Sequence, residues 1–295
     1  MDKDTLTWMS RTEYLAQPGG RIAYSLTGDG PLIVCVHGMG DLRSVYRFLI
    51  PALNTAGFRV AAMDLRGHGE SDATFDAYDD VAAGSDLIAL VSQLQGPAIL
   101  VGNSMGAGSA VWAAAEAPDL VAGLVLIGPF VRNPPVKPAA MLAFRLALLR
   151  PWGPAAWKAY YASLYPCRRP EDLSEHQTRI QESFRQPGHW RAFVATTRTS
   201  HQPIEARLGE VRAPALVVMG ERDPDFPDPQ QEAHLIAGRL GGEVLMVHAA
   251  GHYPQAEYPE IVSPTVVDFA GRIFNHRFPS DMFDSFGNEP GSSNG

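Results

Sequence analysis

The chain has 295 residues, of which 45% are hydrophobic and 19% charged, with two cysteines. That fits one large α/β domain or two small ones and excludes a disulfide-stapled mini-protein, a coiled coil or a collagen-like chain. A formal charge of -8 and 24 scattered Lys and Arg residues leave no basic footprint for nucleic acid or an anionic membrane surface.

The opening residues, Met1 to Arg11, carry no basic region followed by a long apolar stretch, so no secretory leader is expected. The most apolar helical stretch, Ala139 to Leu149, is about half the ~20 residues that cross a bilayer. Cys35 sits in an apolar run and reads as an ordinary buried thiol, so the expected setting is reducing and cytoplasmic. In chain order, Thr12 to Leu15 and Arg21 to Leu26 suggest a hairpin turning at Pro18-Gly19-Gly20. Short apolar runs at Leu32 to Val36, Arg59 to Met63, Ala98 to Val101, Leu120 to Ile127, Ala215 to Met219 and Val244 to Val247 read as buried strands. Helical periodicity fills the intervals near Val45 to Ala56, Ala82 to Leu94, Met105 to Ala117, Gln230 to Leu240 and Pro259 to Asn275. Such alternation signals βαβ units around a parallel sheet. It stops after Gly128-Pro129 and resumes near Val211. The gap holds Pro134, Pro135 and Pro138 and then amphipathic stretches rich in aromatic residues, which read as an inserted helical cap. The expected division is a core of residues 1–132 and 206–278, a cap of 133–205 and a flexible tail of 279–295.

Gly102-Asn103-Ser104-Met105-Gly106 lies between a strand and a small-residue helix, the setting of a nucleophile elbow. There a serine occupies a strained turn, and glycines at ±2 let strand and helix approach. Gly291-Ser292-Ser293-Asn294-Gly295 matches the same pattern with no strand before it, so the setting carries the specificity. A serine hydroxyl needs a base, and the base needs an orienting group. His252, in Ala250-Gly251-His252-Tyr253-Pro254, follows one predicted strand, and Asp223, in Gly220-Glu221-Arg222-Asp223, follows another. Both therefore reach the carboxyl edge of the sheet. Asp225 is the alternative acid, and Asp228 follows it. His248 and His252 also have the spacing of two metal ligands on a helix, but Gly251 speaks against a helix, and no metal is expected. No glycine fingerprint for phosphate is complete, so no cofactor is expected. His37 and His68, each beside glycine, read as turn-shaping residues.

With its order of Ser, Asp and His, the chain resembles the α/β-hydrolase superfamily from about residue 20 to 275. His37-Gly38-Met39-Gly40 looks like the family's oxyanion loop, and the stretch from Asp64 to Asp72 is similar to its D-x-R-G-x-G-x-S turn. The resemblance implies a mostly parallel eight-stranded α/β sheet flanked by helices, with an inserted helical cap. It also implies an oxyanion hole made by the backbone N–H groups of Met39 and Met105. A serine at position 104 disfavours the relatives that use a carboxylate nucleophile and implies acyl transfer, with Ser104 as nucleophile, His252 as base and Asp223 as orienter. The expected function is hydrolysis of a carboxylic ester or lactone of a small, apolar molecule, with activity falling below about pH 6–7 as the base protonates. Carbon–carbon bond hydrolysis and haloperoxidase-like perhydrolysis are the alternatives. A non-hydrolytic binding protein or a cyclase or lyase on the same fold is the alternative of another class. Arg132, Arg145 and Arg191 could meet a substrate carboxylate, although solvated surface is the plainer reading. The expected partner is a small-molecule substrate, with no nucleic acid and no membrane; a homodimer is left open.

Overall fold

A computed structural model describes residues 11–133 and 138–277. The tail, the second glycine-serine pattern at its end, and Pro134 and Pro135 lie outside the described residues. Eight strands form one sheet: β1 (Glu13–Gln17), β2 (Gly20–Thr27), β3 (Leu32–Val36), β4 (Arg59–Met63), β5 (Ala98–Asn103), β6 (Val121–Ile127), β7 (Ala215–Gly220) and β8 (Glu243–Val247). Their order is β1-β2-β4-β3-β5-β6-β7-β8. The hairpin β1–β2 and the β2–β4 pair are antiparallel, and all other pairs are parallel.

Strands β3, β5, β6 and β7 are buried along their whole length, because helices cover both faces of the parallel part. Period-two alternation then sorts the side chains between two apolar layers. Ile33, Cys35, Ile99, Val101, Leu216 and Val218 face α1 (Leu49–Thr55) and α11 (Pro259–Arg277). Leu32, Val34, Leu100, Val217 and Met219 face α2 (Asp80–Gln93), α3 (Met105–Glu116) and α9 (Pro229–Leu240). Each fully buried aliphatic side chain contributes about 1.5–3 kcal/mol of transfer free energy.

One helix expected over Val45 to Ala56 is instead a 3-10 turn, Arg43–Tyr46, followed by α1. Pro51 supplies the reason, since a proline lacks the N–H that a helix interior uses and is best accommodated in the first turn. Between β6 and β7 the helices α4 (Pro138–Ala147), α5 (Gly153–Ser163), α6 (Leu173–Arg185), α7 (His189–Thr196) and α8 (Gln202–Arg207) form the insertion. The last of them, α8, packs on α3 of the core. A short α10 (Pro254–Glu257) precedes α11. No helix among the described residues is long and apolar enough to cross a membrane.

Parallel register brings the strand ends to one rim: Val36 pairs with Gly102, Asn103 with Ile127, and Gly220 with Val247. The loops that follow β3, β4, β5, β6, β7 and β8 therefore converge beneath the insertion.

Candidate active site

Strand β5 runs into α3 through Ser104, whose φ of 56 and ψ of -122 are rare for a residue with a side chain. Such a conformation costs on the order of 1–3 kcal/mol and persists only where neighbours impose it. Here a Cβ on Gly102 would lie 2.4 Å from the Gly106 carbonyl oxygen, and one on Gly106 would lie 2.4 Å from that of Val36. The Ser104 amide donates to the Ile127 carbonyl at 2.8 Å and locks the turn to β6.

His252 sits in the loop after β8, and its amide donates to the Leu164 carbonyl of the insertion at 3.0 Å. Its ring Nδ1 meets Asp223 Oδ2 at 2.7 Å. Because a carboxylate only accepts, Nδ1–H donates, and Nε2 is the nitrogen left to gain or lose a proton. Asp223 is thus the carboxylate paired with the imidazole. The alternative, Asp225, lies 3.8 Å from the same Nδ1 and accepts from the Tyr160 hydroxyl of α5. Asp228 caps α9, accepting from the Gln231 amide at 2.9 Å. Ser104 and His252 line one cavity of about 340 Å³ without a hydrogen bond between them. Such bonds are often long before substrate arrives.

Burial pulls the His252 imidazole down, but the charges of Asp223, Asp225 and Glu257 prevail and raise it to about 9. That moves the expected loss of base function upward from pH 6–7. Burial raises Asp225, with the charge of Asp223 acting in the same direction. Asp223, Asp225 and His252 each present a possible metal-ligand atom, all within 4.8 Å of one another, although two of those groups already share a hydrogen bond. His248 lies apart, exposed and paired with Glu221 at 2.8 Å.

Beside the elbow, Gly38 approaches Ser104 so closely that a Cβ there would lie 2.7 Å from Ser104 Cβ. The amides of Met39 and Met105 donate to no protein acceptor among the described residues, which leaves both available to an oxyanion. His37 and His68 hold this loop against the turn after β4. His37 Nδ1–H donates to the Gly38 carbonyl at 2.7 Å, and its Nε2 accepts from the Leu65 amide at 3.0 Å. His68 Nδ1–H donates to the Arg66 carbonyl at 3.0 Å, and its Nε2 accepts from the Gly40 amide at 3.1 Å. These bonds fit neutral rings; burial lowers His37 and brings His68 to about 3.

Other residues of this rim escape a reading of the sequence. Arg43, almost wholly buried, pairs with Asp64 and Glu70. Asp41 accepts from Tyr161 at 2.9 Å and bonds His176 Nε2 at 2.6 Å. Glu257 takes the Gly251 amide at 2.8 Å and the Tyr253 amide at 3.2 Å, one on each side of His252. Their only local signals are Asp41 following the oxyanion-like loop and Glu257 following His252 by five positions. Arg132 is paired with Glu232, and Arg145 and Arg191 are exposed. A larger groove of about 890 Å³, lined by Arg168, Arg169, Asp172 and Glu257 among others, does not include Ser104 or His252.

A model of the alpha/beta hydrolase family matches residues 33–265. The chain is 31% identical over 267 residues to 2-(acetamidomethylene)succinate hydrolase of Mesorhizobium japonicum, covering 85% of this chain and 92% of that one. It is 31% identical over 275 residues to a 2-hydroxy-6-oxononadienedioate/2-hydroxy-6-oxononatrienedioate hydrolase of Paraburkholderia phymatum, covering 85% and 91%. Among solved structures, a hydrolase from Pseudomonas aeruginosa PA01 superposes with a TM-score of 0.75 at 25% identity, covering 88% of this chain and 98% of that one. With the sheet order, the inserted helices and these matches in agreement, the chain belongs to the alpha/beta hydrolase family and is a hydrolase.

Proposed function

We propose that this hydrolase works at the carbonyl carbon of a small, largely apolar molecule, with Ser104 as nucleophile, His252 as base and Asp223 as the group that orients it. The observation that carries this reading is the meeting of a serine on a strained strand-to-helix turn and a carboxylate-bound imidazole on the wall of one cavity. Ser104 attacks the carbonyl as His252 Nε2 takes its proton, and the amides of Met39 and Met105 hold the developing oxyanion. Collapse releases the leaving group, which takes the proton from His252. Water, activated by the same imidazole, then frees the acyl group from Ser104.

Two scissile bonds suit this geometry. The curated relatives favour the carbon–carbon bond, because an oxo-dienedioate such as the one in their name contains no ester, and its hydrolysis must separate two carbons. In that case the 2-hydroxydiene first tautomerises, its hydroxyl proton being lost and a proton added at the carbon next to the 6-oxo group, so that the fragment released on carbon–carbon cleavage leaves as a dienolate conjugated with the 2-oxo group and takes its proton from His252. Ester or lactone hydrolysis, the expectation from the residues alone, is the second reading. It rests on the same groups and on the apolar lining supplied by Phe130, Met141, Phe144 and Trp157.

The test pairs a fluorophosphonate label with two assays, a p-nitrophenyl ester series and a 2-hydroxy-6-oxodienoate whose conjugation is followed by absorbance. Labelling together with turnover of either substrate, both lost in Ser104→Ala with a kcat decrease of roughly 10⁴–10⁶, is the expected result. The faster assay identifies the bond. Absence of labelling in folded protein overturns the reading.

A further inference from the structure

Among the described residues of the cavity wall, Asp225 is the one acidic side chain, and it shares that wall with the apolar side chains of Phe130, Met141, Phe144, Trp157 and Leu164. Its position is held from two sides. The Asp225 amide donates to Asp223 Oδ1 at 3.0 Å, and Oδ1 accepts from the Tyr160 hydroxyl of α5. The second oxygen, Oδ2, accepts no hydrogen bond among the described residues and faces His252 Nδ1 only at 3.8 Å, a nitrogen whose proton is already given to Asp223. A carboxylate with one committed and one open oxygen on the wall of a reaction cavity is an acceptor awaiting a donor.

Resting on the reading of Ser104 as nucleophile, we infer that Asp225 is a specificity-determining residue that selects substrates presenting a hydrogen-bond donor or a cation to its Oδ2 and rejects those presenting a carboxylate there. Two physical effects act together. A hydroxyl, amide N–H or ammonium group satisfies the open oxygen with a charge-assisted bond. A substrate carboxylate would place like charges together where little water screens them and would leave both incompletely solvated. The insertion takes part in the selection, since Tyr160 from α5 fixes which oxygen remains open. Thus the part of the substrate beside His252 differs in charge from the dicarboxylic molecules in the relatives' names.

The probes are four p-nitrophenyl esters of equal acyl length, ending in methyl, hydroxyl, ammonium or carboxylate, and fluorophosphonates with the same four ends. The expected order of kcat/KM, and of the rate of Ser104 labelling, is ammonium and hydroxyl above methyl and carboxylate last, with about tenfold or more between ammonium and carboxylate. In Asp225→Asn, an isostere without the charge, that ratio collapses toward one. Comparing probes at one pH cancels any change that the substitution makes in His252. The wild-type order needs no variant and stands as a test if Asp225→Asn fails to fold. Equal rates for the charged pair, or an unchanged ratio in folded Asp225→Asn, overturn the role of Asp225. Failure of every fluorophosphonate to label Ser104 overturns the nucleophile reading and this inference with it.

Discussion

The indole N–H of Trp157 on α5 donates to the carbonyl oxygen of Gly40 at 3.0 Å, so the insertion grips the loop that carries the Met39 amide. The next residue, Asp41, extends the grip to Tyr161 of α5 and His176 of α6, with Ser44 Oγ 3.2 Å from the far ring nitrogen of His176. Burial opposes the charge on Asp41, and the neighbouring His176 outweighs it, so this carboxyl lies below its ordinary range. The insertion is therefore part of what positions the loop that carries the Met39 amide.

Asp41→Asn tests that coupling. An amide in place of the carboxylate turns an N–H₂ group toward donors and leaves a buried mismatch that costs about 1–3 kcal/mol. The expected outcome is a lower denaturant midpoint together with a fall in kcat larger than any change in KM, since the displaced group is the Met39 amide proposed to hold the oxyanion. A variant that loses stability but keeps kcat separates the latch from the loop that carries the Met39 amide and refutes the coupling.

Sequence patterns reached the sheet and the strand-to-helix turn at Ser104 for a physical reason. Buried parallel strands are short continuous apolar runs, as in Leu32 to Val36 and Ala215 to Met219, and glycines at fixed offsets mark the elbow around Ser104. What stayed hidden depends on distance along the chain. Asp41 and His176 lie 135 positions apart, and only the path of the insertion brings them together. Asp225 stood beside Asp223 as a rival acid, and its orientation toward the cavity depends on Tyr160 from another element. Amphipathic periodicity located the insertion but not its individual helices, because most of their termini lack a side-chain cap.

Gly38 predicts a defect in rate. A methyl group at position 38 would meet Ser104 Cβ at 2.7 Å and the Asn103 carbonyl oxygen at 3.2 Å, so Gly38→Ala pushes aside the proposed nucleophile. Misplacement on the scale of 1 Å costs on the order of 10² in rate, and the expected result is that loss with a smaller fall in melting temperature than Gly106→Ala shows. Gly106→Ala is the contrast. Its methyl strikes the Val36 and His37 carbonyl oxygens, backbone atoms that cannot step away, and overpacking of that kind costs about 1–3 kcal/mol or more. Equal effects of the two substitutions on stability would contradict this division.

The pH dependence of activity follows from the carboxylates around His252. An imidazole raised to about 9 is protonated at neutral pH in the free enzyme, so kcat/KM should climb through neutrality and level off near pH 9. Removing the nearest charge, as in Asp223→Asn, lowers the inflection. The stability linked to this group has the opposite sense: it is fully present below the unfolded value of about 6.5 and is lost as pH rises through 9. A pH profile with its inflection at 6.5 would mean that the charges of Asp223, Asp225 and Glu257 do not act on His252 as the geometry requires.

His68 governs stability on the acid side. Its ring is buried with Nε2 accepting from Gly40 and Nδ1–H donating to Arg66, an arrangement that protonation breaks, and its folded value of about 3 lies below the unfolded one. The stability it contributes is complete above about 6.5 and falls by roughly 1.4 kcal/mol per pH unit between there and 3. Burial of Glu257 raises it to about 7, and this works in the other direction: that group binds a proton more readily in the folded chain, which adds stability as pH drops from 7 toward 4.5. The wild-type slope is therefore a sum of opposed contributions, and a difference isolates the histidine. His68→Gln keeps one acceptor and one donor without a titratable ring. Urea unfolding at pH 7.0, 5.5 and 4.5 should show the variant losing less stability than wild type at each acidic step, by about the slope of one proton. Parallel curves for the two proteins would mean that His68 does not remain neutral in the folded chain.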